Sequence, residues 1–138
     1  MKIQYVSGLI FKDQYVALIE KLNGPKQFIG KLNAPGGKVN HREPTLSAMR
    51  REIKEECDLT IFNWQYFLHL ADVDWEISWY TCQYNGNFSD LKSNEIEQVN
   101  WYEIDYILYK NSNRLVPNLK WIIPLALDNS SISSVFYS

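Results

Sequence analysis

Apolar residues along the chain fall into short segments that predict strands on both sides of an amphipathic helix. Runs rich in β-branched and aromatic residues, which favour strands, occupy residues 3–11, 15–22, 59–73, 75–84 and 99–102. From Trp75 to Tyr80, large apolar residues alternate with more polar ones, as in a strand that buries one face. Lys12-Asp13-Gln14 separates the first two runs, and this composition is typical of a short hairpin turn.

The clearest element is a helix predicted over Thr45–Cys57. No Gly or Pro interrupts this segment, and Pro44 precedes it at a position where the missing N–H costs nothing. Apolar residues recur at spacings of three and four, which is the signature of one buried helical face. These residues are Leu46, Met49, Ile53 and Cys57.

The remaining segments complete an α/β pattern. Residues 21–31 and 34–37 are rich in Gly and Pro and predict loops. A second helix is expected over Pro117–Leu127, where Pro124 should kink or shorten it, and residues 135–137 are a last short strand candidate. The order of strands, helix, strands and helix favours a mixed sheet with helices on its faces. We expect residues 1–138 to form one domain.

Composition and charge narrow the classes of function. The net charge is −2, from 14 basic and 16 acidic side chains, which argues against duplex nucleic acid as a partner. A small phosphorylated ligand stays compatible, because one metal ion inverts the charge of an acidic pocket. No run is long enough to span a membrane, and polar residues interrupt the N-terminal apolar stretch, so no signal peptide is predicted. Two cysteines, expected to be buried and reduced, fit a cytoplasmic protein.

Three glutamates of the predicted helix carry the candidate chemistry. At about 100° per residue, Glu52, Glu55 and Glu56 fall within one arc beside the apolar stripe, while Arg51 and Lys54 should point the other way. The like charges repel, and a bound cation relieves that repulsion. Carboxylate oxygens on a rigid helix suit Mg²⁺ or Mn²⁺. Taken alone, such a cluster is more often a solvated acidic face.

The residues around this cluster match a longer motif. The segment GKVNHREPTLSAMRREIKEECDL, residues 37–59, resembles the Nudix box, G-x5-E-x7-R-E-U-x-E-E-x-G-U, where U is a bulky aliphatic residue. Asp58 departs from the motif, because it stands where the family has a second glycine that ends the helix in a left-handed conformation. Asp tolerates that conformation better than most residues. The matching residues are Gly37, Glu43, Arg51, Glu52, Ile53, Glu55, Glu56 and Leu59.

The resemblance implies a Nudix-like α/β/α sandwich with a mixed sheet, and a role for each motif glutamate. Glu52, Glu55 and Glu56 are expected to bind Mg²⁺, with Mn²⁺ as a substitute. Either Glu52 or Glu56 would orient or deprotonate the attacking water, and the choice between them stays open. Glu95 and Glu97 are candidates for an additional carboxylate, or are residues of a solvated loop.

Residues around the motif are expected to handle phosphate and to support the loop. Gly36 and Gly37 would let the backbone approach the phosphates. Lys38 would neutralise phosphate charge, unless it is an ordinary surface lysine. Glu43 and Arg51 are expected to pair and to fix the loop against the helix, a structural role.

The substrate is suggested by two stretches, LNAPGGK and LVPNLKW, which resemble Nudix members that hydrolyse purine nucleoside triphosphates, including oxidised ones such as 8-oxo-dGTP. Asn33 and Asn118 stand where an amide would read the purine edge, or where an asparagine serves a turn or helix cap. Phe28 is a candidate platform for stacking on a base.

Three functions are compatible with this motif. The first is a (d)NTP pyrophosphatase that releases a nucleoside monophosphate and pyrophosphate. The second is a hydrolase of ADP-ribose, a dinucleoside polyphosphate or another nucleotide conjugate. The third is a nucleotide-binding Nudix module without turnover, but the usual mark of such modules is loss of the motif glutamates, and all are present here. A homodimer is compatible with the family.

Overall fold

The computed structural model describes residues 2–94, 96–128 and 133–136. The eight strands are β1 Ile3–Lys12, β2 Tyr15–Glu20, β3 Leu32–Asn33, β4 Gly36–Lys38, β5 Gln65–Ala71, β6 Trp75–Gln83, β7 Val99–Glu103 and β8 Ser133–Phe136. The two α-helices are α1 Thr45–Cys57 and α2 Leu119–Leu127. Short helical turns occupy Lys26–Phe28, Phe88–Asp90, Ser112–Arg114 and, as a π-helical turn, Tyr106–Lys110.

The strands form one mixed sheet in the order β3-β2-β1-β6-β5-β8, with β4 paired to β1 and β7 paired to β2. β1 and β6 run parallel over their whole length, and β5 pairs with β8 in parallel. The other edge of β1 is shared, because β4 pairs with Tyr5–Ser7 and β2 pairs with Phe11 and Lys12. The chain therefore crosses from β2 to β1 between β3 and β4, and this crossing brings Gly36 and Gly37 to the middle of the sheet.

Each face of the sheet buries its own apolar core, because alternate residues of a strand point to opposite faces. On β1, Leu9 and Phe11 belong to one core, and Val6 and Ile10 belong to the other. α2 covers the first core and α1 covers the second. The helical residues that do so are Leu119, Ile122 and Ile123 of α2 and Ala48, Met49, Ile53 and Cys57 of α1. The predicted α/β/α sandwich with a mixed sheet is confirmed.

Gly36 and Gly37 were predicted as part of a loop, but they begin β4, because their backbone pairs with Val6 and Ser7 of β1. Several predicted boundaries were also wrong. β5 begins at Gln65 rather than at residue 59, although Leu59 and Ile61 are buried in the α1-side core. A buried apolar run in irregular backbone has the same composition as a strand, and periodicity does not separate the two. β2 ends at Glu20, and α2 begins two residues later than predicted and keeps Pro124 in its interior. Ser133–Phe136 forms the last strand, and the predicted end at Tyr137 lies outside the described residues.

α1 spans the predicted residues and is capped at its C-terminal end by Asp58, the residue that departs from the motif. Asp58 adopts the left-handed conformation with φ 58° and ψ 30°, and its N–H donates to the Lys54 carbonyl at 3.2 Å. Its carboxylate accepts from Lys54 Nζ at 3.0 Å, and this contact is the first cause that lowers the pKa of Asp58. The aspartate therefore keeps the turn that a glycine makes in the motif. Within the described residues, no helix is both long enough and apolar enough to cross a membrane.

Candidate catalytic site

Two glycines of β4 lie directly against two glutamates of α1. The Gly36 N–H donates to Glu56 Oε1 at 2.9 Å. A Cβ added to Gly37 would lie 2.5 Å from the carboxyl carbon of Glu52, and one added to Gly36 would lie 2.1 Å from the Val6 carbonyl oxygen. Neither position has room for a side chain, so glycine is what allows β4 and the two carboxylates to meet.

Arg51 connects the glutamates of α1 to the loop that precedes the helix. Its Nε donates to Glu43 Oε2 and its Nη2 donates to Glu43 Oε1, both at 2.9 Å. Nη2 also donates to the Lys38 carbonyl at 3.1 Å. Such a bidentate pair holds both its partners in one orientation. The Arg51 guanidinium, together with the Asn40 N–H, lowers the pKa of Glu43 to about 2. The Glu43 carboxylate in turn raises the pKa of Arg51.

The same guanidinium also reaches the acidic face of α1. Arg51 Nη1 donates to Glu52 Oε1 at 2.9 Å and lies 3.5 Å from Glu55 Oε1. The prediction that Arg51 points away from the glutamates was therefore wrong. A helical wheel gives only the direction of the Cα–Cβ bond, and a long arginine side chain folds back when carboxylates attract it.

The chemistry of these side chains fits a divalent cation. Glu52, Glu55 and Glu56 offer carboxylate oxygens, the hard ligands that Mg²⁺ and Mn²⁺ prefer. Arg51 Nη1 already occupies a cationic position between Glu52 and Glu55. Among the described residues, no three His, Cys, Asp or Glu side chains are grouped closely enough to hold a metal ion as they stand. Rotation of the glutamate side chains is needed to bring three oxygens around one ion.

A cavity of about 610 Å³ opens beside this acidic face. Gly36, Gly37 and Glu56 form one part of its wall, so the glycine–glutamate contact and the cavity share residues. Ser7, Lys21 and Asn33 contribute polar groups elsewhere in the wall. The other described residues of the wall are mostly apolar or aromatic: Tyr5, Val6, Ile19, Pro25, Phe28, Ala34, Trp75, Ile77 and Glu97.

Only some of the residues predicted to contact the substrate line this cavity. Asn33 and Phe28 line it, and Asn33 Oδ1 accepts the Ala34 N–H at 2.8 Å. Asn118 and Lys38 are not among the described residues of its wall. Asn118 directly precedes α2 without a side-chain hydrogen bond that caps the helix, and Lys38 is exposed on β4.

Of the two candidates for an additional carboxylate, only Glu97 belongs to the described residues. Glu97 lies in the cavity wall, where Oε2 accepts the Leu22 N–H at 2.8 Å and Oε1 lies 3.5 Å from Lys21 Nζ. Glu95 lies outside the described residues.

Sequence reasoning missed Tyr5, Lys21 and Trp75 as wall residues. The alternation along β6 separates Trp75 and Ile77 from their neighbours, and this was visible in the sequence. Their approach to Tyr5 was not, because it depends on the parallel register that pairs Tyr5 of β1 with Ile77 of β6.

Comparisons with known proteins agree with this fold. The sequence matches the family model described as NUDIX domain over residues 1–122. A MutT protein of Aliivibrio salmonicida or Vibrio cholerae has a similar structure, with a TM-score of 0.73 and 22% identity over 93% of this chain and 99% of that chain. The MutT protein of Bacillus halodurans has a TM-score of 0.77 and 20% identity, over 99% of this chain and 90% of that one.

A third similar structure is the NUDIX domain of Shewanella oneidensis NrtR, which was crystallised with ADP ribose. It has a TM-score of 0.77 and 17% identity, over 94% of this chain and 88% of that one. No curated protein matches the sequence. Because the family model covers most of the chain, the protein belongs to the Nudix family, and we classify it as a Nudix hydrolase.

Proposed function

We propose that the protein hydrolyses a (deoxy)nucleoside triphosphate, such as an oxidised purine nucleotide like 8-oxo-dGTP, to a nucleoside monophosphate and pyrophosphate. The observation that carries this proposal is the position of Glu56. This residue belongs to the acidic face of α1, accepts the Gly36 N–H and also lines the cavity. A nucleotide whose base occupies the apolar part of the cavity can therefore bring its phosphates to Gly36, Gly37 and the glutamates.

In this proposal the backbone of Gly36 and Gly37, which line the cavity beside Glu56, approaches the phosphates closely because no side chain stands between them. Glu52 or Glu56 orients or deprotonates a water that attacks phosphorus, and the bond to the bridging oxygen breaks as pyrophosphate leaves. Lys38, exposed beside them, neutralises phosphate charge. Glu52, Glu55 and Glu56 would hold Mg²⁺, or Mn²⁺ in its place, and the bound ion would supply positive charge for the phosphates and acidify water.

The residues of the cavity wall are better suited to binding a nucleotide base than a second polar group. Phe28, Tyr5 and Trp75 supply aromatic surface for stacking. Because the Ala34 N–H already engages Asn33 Oδ1, Asn33 would meet a base with its Nδ2 donor. That donor suits the O6 acceptor of a guanine-type purine, which the 8-oxo base keeps. Asn118 is not among the described residues of the wall, and its role in substrate binding stays a prediction.

The test is turnover of a substrate panel by purified protein with Mg²⁺, with Mn²⁺ and with EDTA. The panel contains canonical dNTPs and NTPs, 8-oxo-dGTP, ADP-ribose and diadenosine polyphosphates. We expect chelator-sensitive release of pyrophosphate from a purine triphosphate, with the highest kcat/KM for a guanine-type base. No turnover of any member would reject hydrolysis and favour a nucleotide-binding module.

A second candidate is hydrolysis of ADP-ribose or another nucleotide conjugate. It is favoured by two structural neighbours, the NrtR domain complexed with ADP ribose and an ADP-ribose pyrophosphatase of Streptococcus suis, the latter with a TM-score of 0.70. Both candidates use the same glutamates and differ in what the cavity accepts. Release of AMP from ADP-ribose, without release of pyrophosphate from triphosphates, would select this candidate.

We also propose that the protein acts in the cytoplasm, because Cys57 and Cys82 are both free and buried. Burial raises the pKa of the Cys82 thiol to about 12 and raises that of Cys57 as well, so neither thiol is reactive at neutral pH. A homodimer stays compatible with the family, and size-exclusion chromatography with light scattering would measure it.

A further inference from the structure

Glu97 binds the backbone of a neighbouring segment with its carboxylate. Oε2 accepts the N–H groups of Leu22 at 2.8 Å and Asn23 at 3.4 Å, and Oε1 lies 3.5 Å from Lys21 Nζ. The side chain is 20% exposed and lines the cavity. Both oxygens therefore already have partners in the segment that follows β2.

These contacts begin where the backbone ladder between β2 and β7 stops. The last backbone bond on this side runs from the Glu20 N–H to the Gln98 carbonyl at 3.0 Å. The Lys21 N–H bonds to the Lys31 carbonyl, and the N–H groups of Leu22 and Asn23 then bond to the Glu97 side chain. The carboxylate of Glu97 thus continues the hydrogen bonding of β2 as far as Asn23.

The segment from Lys21 to Lys31 has few other means of holding its position. Leu22 is 41% exposed and Ile29 is 50% exposed, so Phe28, which packs against the core, supplies most of the apolar burial of the segment. The base of the segment is closed by the Lys21 N–H to the Lys31 carbonyl and the Gly30 N–H to the Lys21 carbonyl, each at 2.8 Å. At its far end, Lys31 Nζ donates to the Asn113 carbonyl. Glu97 is therefore the side-chain anchor of its near end.

The segment matters to the cavity because three of its residues belong to the wall. Lys21, Pro25 and Phe28 line the cavity from this side, and Phe28 packs partly against the core beneath α2. A segment that is held before the ligand arrives pays no ordering cost when the ligand binds. Any contact that fixes the segment therefore acts on affinity for the base.

Building on the proposed function, we infer that Glu97 is a positioning residue that holds the Lys21–Lys31 segment over the cavity and so sets affinity for the base of the substrate. It acts through Phe28, which lines the cavity, rather than on the reacting phosphate. This role differs from that of an additional metal-binding or water-orienting carboxylate, because the oxygens such a role needs are engaged by the segment.

The first test does not depend on activity. Lys26 is exposed at the tip of the segment, so trypsin cleavage after Lys26 reports how often the segment opens. We expect Glu97→Ala to be cleaved there about tenfold faster than wild type, as loss of a charged hydrogen bond implies. Glu97→Gln, which keeps an oxygen acceptor, should fall between them. The matched control is Glu103→Ala, an exposed carboxylate on β7, with equal melting temperature required for every variant compared.

The second test separates positioning from catalysis. With the best substrate of the panel, Glu97→Ala should raise KM about tenfold and leave kcat within about threefold of wild type. Glu97→Gln should restore most of the KM, and both variants should keep the wild-type dependence of rate on Mg²⁺ concentration. A metal-binding or water-orienting role instead requires Glu97→Gln to lose kcat as severely as Glu97→Ala.

A double-mutant cycle then identifies the residue through which Glu97 acts. If Glu97 positions Phe28, the KM of Glu97→Ala/Phe28→Ala should match that of Phe28→Ala alone, rather than multiply the two effects. Multiplied effects, or wild-type cleavage after Lys26 in Glu97→Ala, would overturn the inference. If wild-type protein hydrolyses no member of the panel, the proposed function fails, whereas the trypsin rates still decide whether Glu97 holds the segment.

Discussion

Glu56 has two roles at the scale of single residues, because the same carboxylate binds the Gly36 N–H and faces the cavity. An amide at this position keeps an oxygen for Gly36 but carries no charge for a cation or a water. Glu56→Gln therefore separates the structural role from the chemical one.

We expect Glu56→Gln to lower kcat by about 10²–10⁴-fold, the range typical of a lost acid–base or charged group. The melting temperature should change little, because the bond to Gly36 is retained. Glu103→Gln on β7 is the matched control and should keep wild-type turnover. A kcat within threefold of wild type in Glu56→Gln would remove Glu56 from the mechanism.

The two glycines of β4 should respond differently to an added methyl group. Gly36→Ala places Cβ against the backbone of Val6, which cannot move away, so we expect a loss of about 3 kcal/mol in unfolding free energy. Gly37→Ala meets only the flexible carboxylate of Glu52, so stability should fall by less than about 1 kcal/mol. Its kcat should nevertheless fall at least about tenfold, because Glu52 is displaced. Urea unfolding and steady-state kinetics measure both; equal stability losses would contradict the structure.

At the scale of elements, the pair between Glu43 and Arg51 ties the loop after β4 to α1. Glu43 precedes the helix and Arg51 lies within it, so their bidentate bond holds two elements together. The same arginine balances Glu52 and Glu55, and the loop and the acidic face are therefore connected through one guanidinium.

This pair should be visible in the pH dependence of stability. The pKa of Glu43 is lowered from 4.5 to about 2, so its contribution is complete above pH 4.5 and disappears as the pH falls from 4.5 to 2. Glu43→Gln should be less stable than wild type near neutral pH, and that difference should shrink steadily over the same interval. Urea unfolding across this range measures it, and a constant difference would exclude the assigned pair.

At the scale of the whole molecule, the sheet separates two cores. Ile53 of α1 and Ile122 of α2 are both fully buried, but they belong to clusters on opposite faces. Both helices are needed to cover the sheet, because each strand of its centre carries apolar residues on both faces. One Nudix domain over residues 1–138 stays a prediction at this scale.

Separation of the cores predicts additive energetics. Ile53→Val and Ile122→Val should each lower the free energy of unfolding by about 0.5–1.5 kcal/mol, from the lost methylene. The double variant should equal the sum within about 0.5 kcal/mol, because the two sites share no contact. A larger deviation, measured by urea unfolding, would show that the cores are coupled through the sheet.

Local patterns in the sequence were enough for the elements with strong periodicity and for the motif. The spacing of Leu46, Met49, Ile53 and Cys57 predicted α1 at its observed bounds, since a helix repeats its buried face every three to four residues. The motif predicted that α1 carries the glutamates of the acidic face. Asp58 was expected to tolerate the left-handed turn that it adopts. These features depend on residues that are close in sequence.

The cavity, the path of Arg51 and the contacts of Glu97 were decided only by the tertiary structure. Tyr5 and Trp75 line the same cavity because β1 and β6 pair in parallel with one particular register, and no local pattern encodes a register between distant strands. Glu97 contacts Leu22 across 75 residues of sequence. Local periodicity determines which residues share a face, but the pairing of strands determines which faces and loops meet, and the candidate site is formed where they meet.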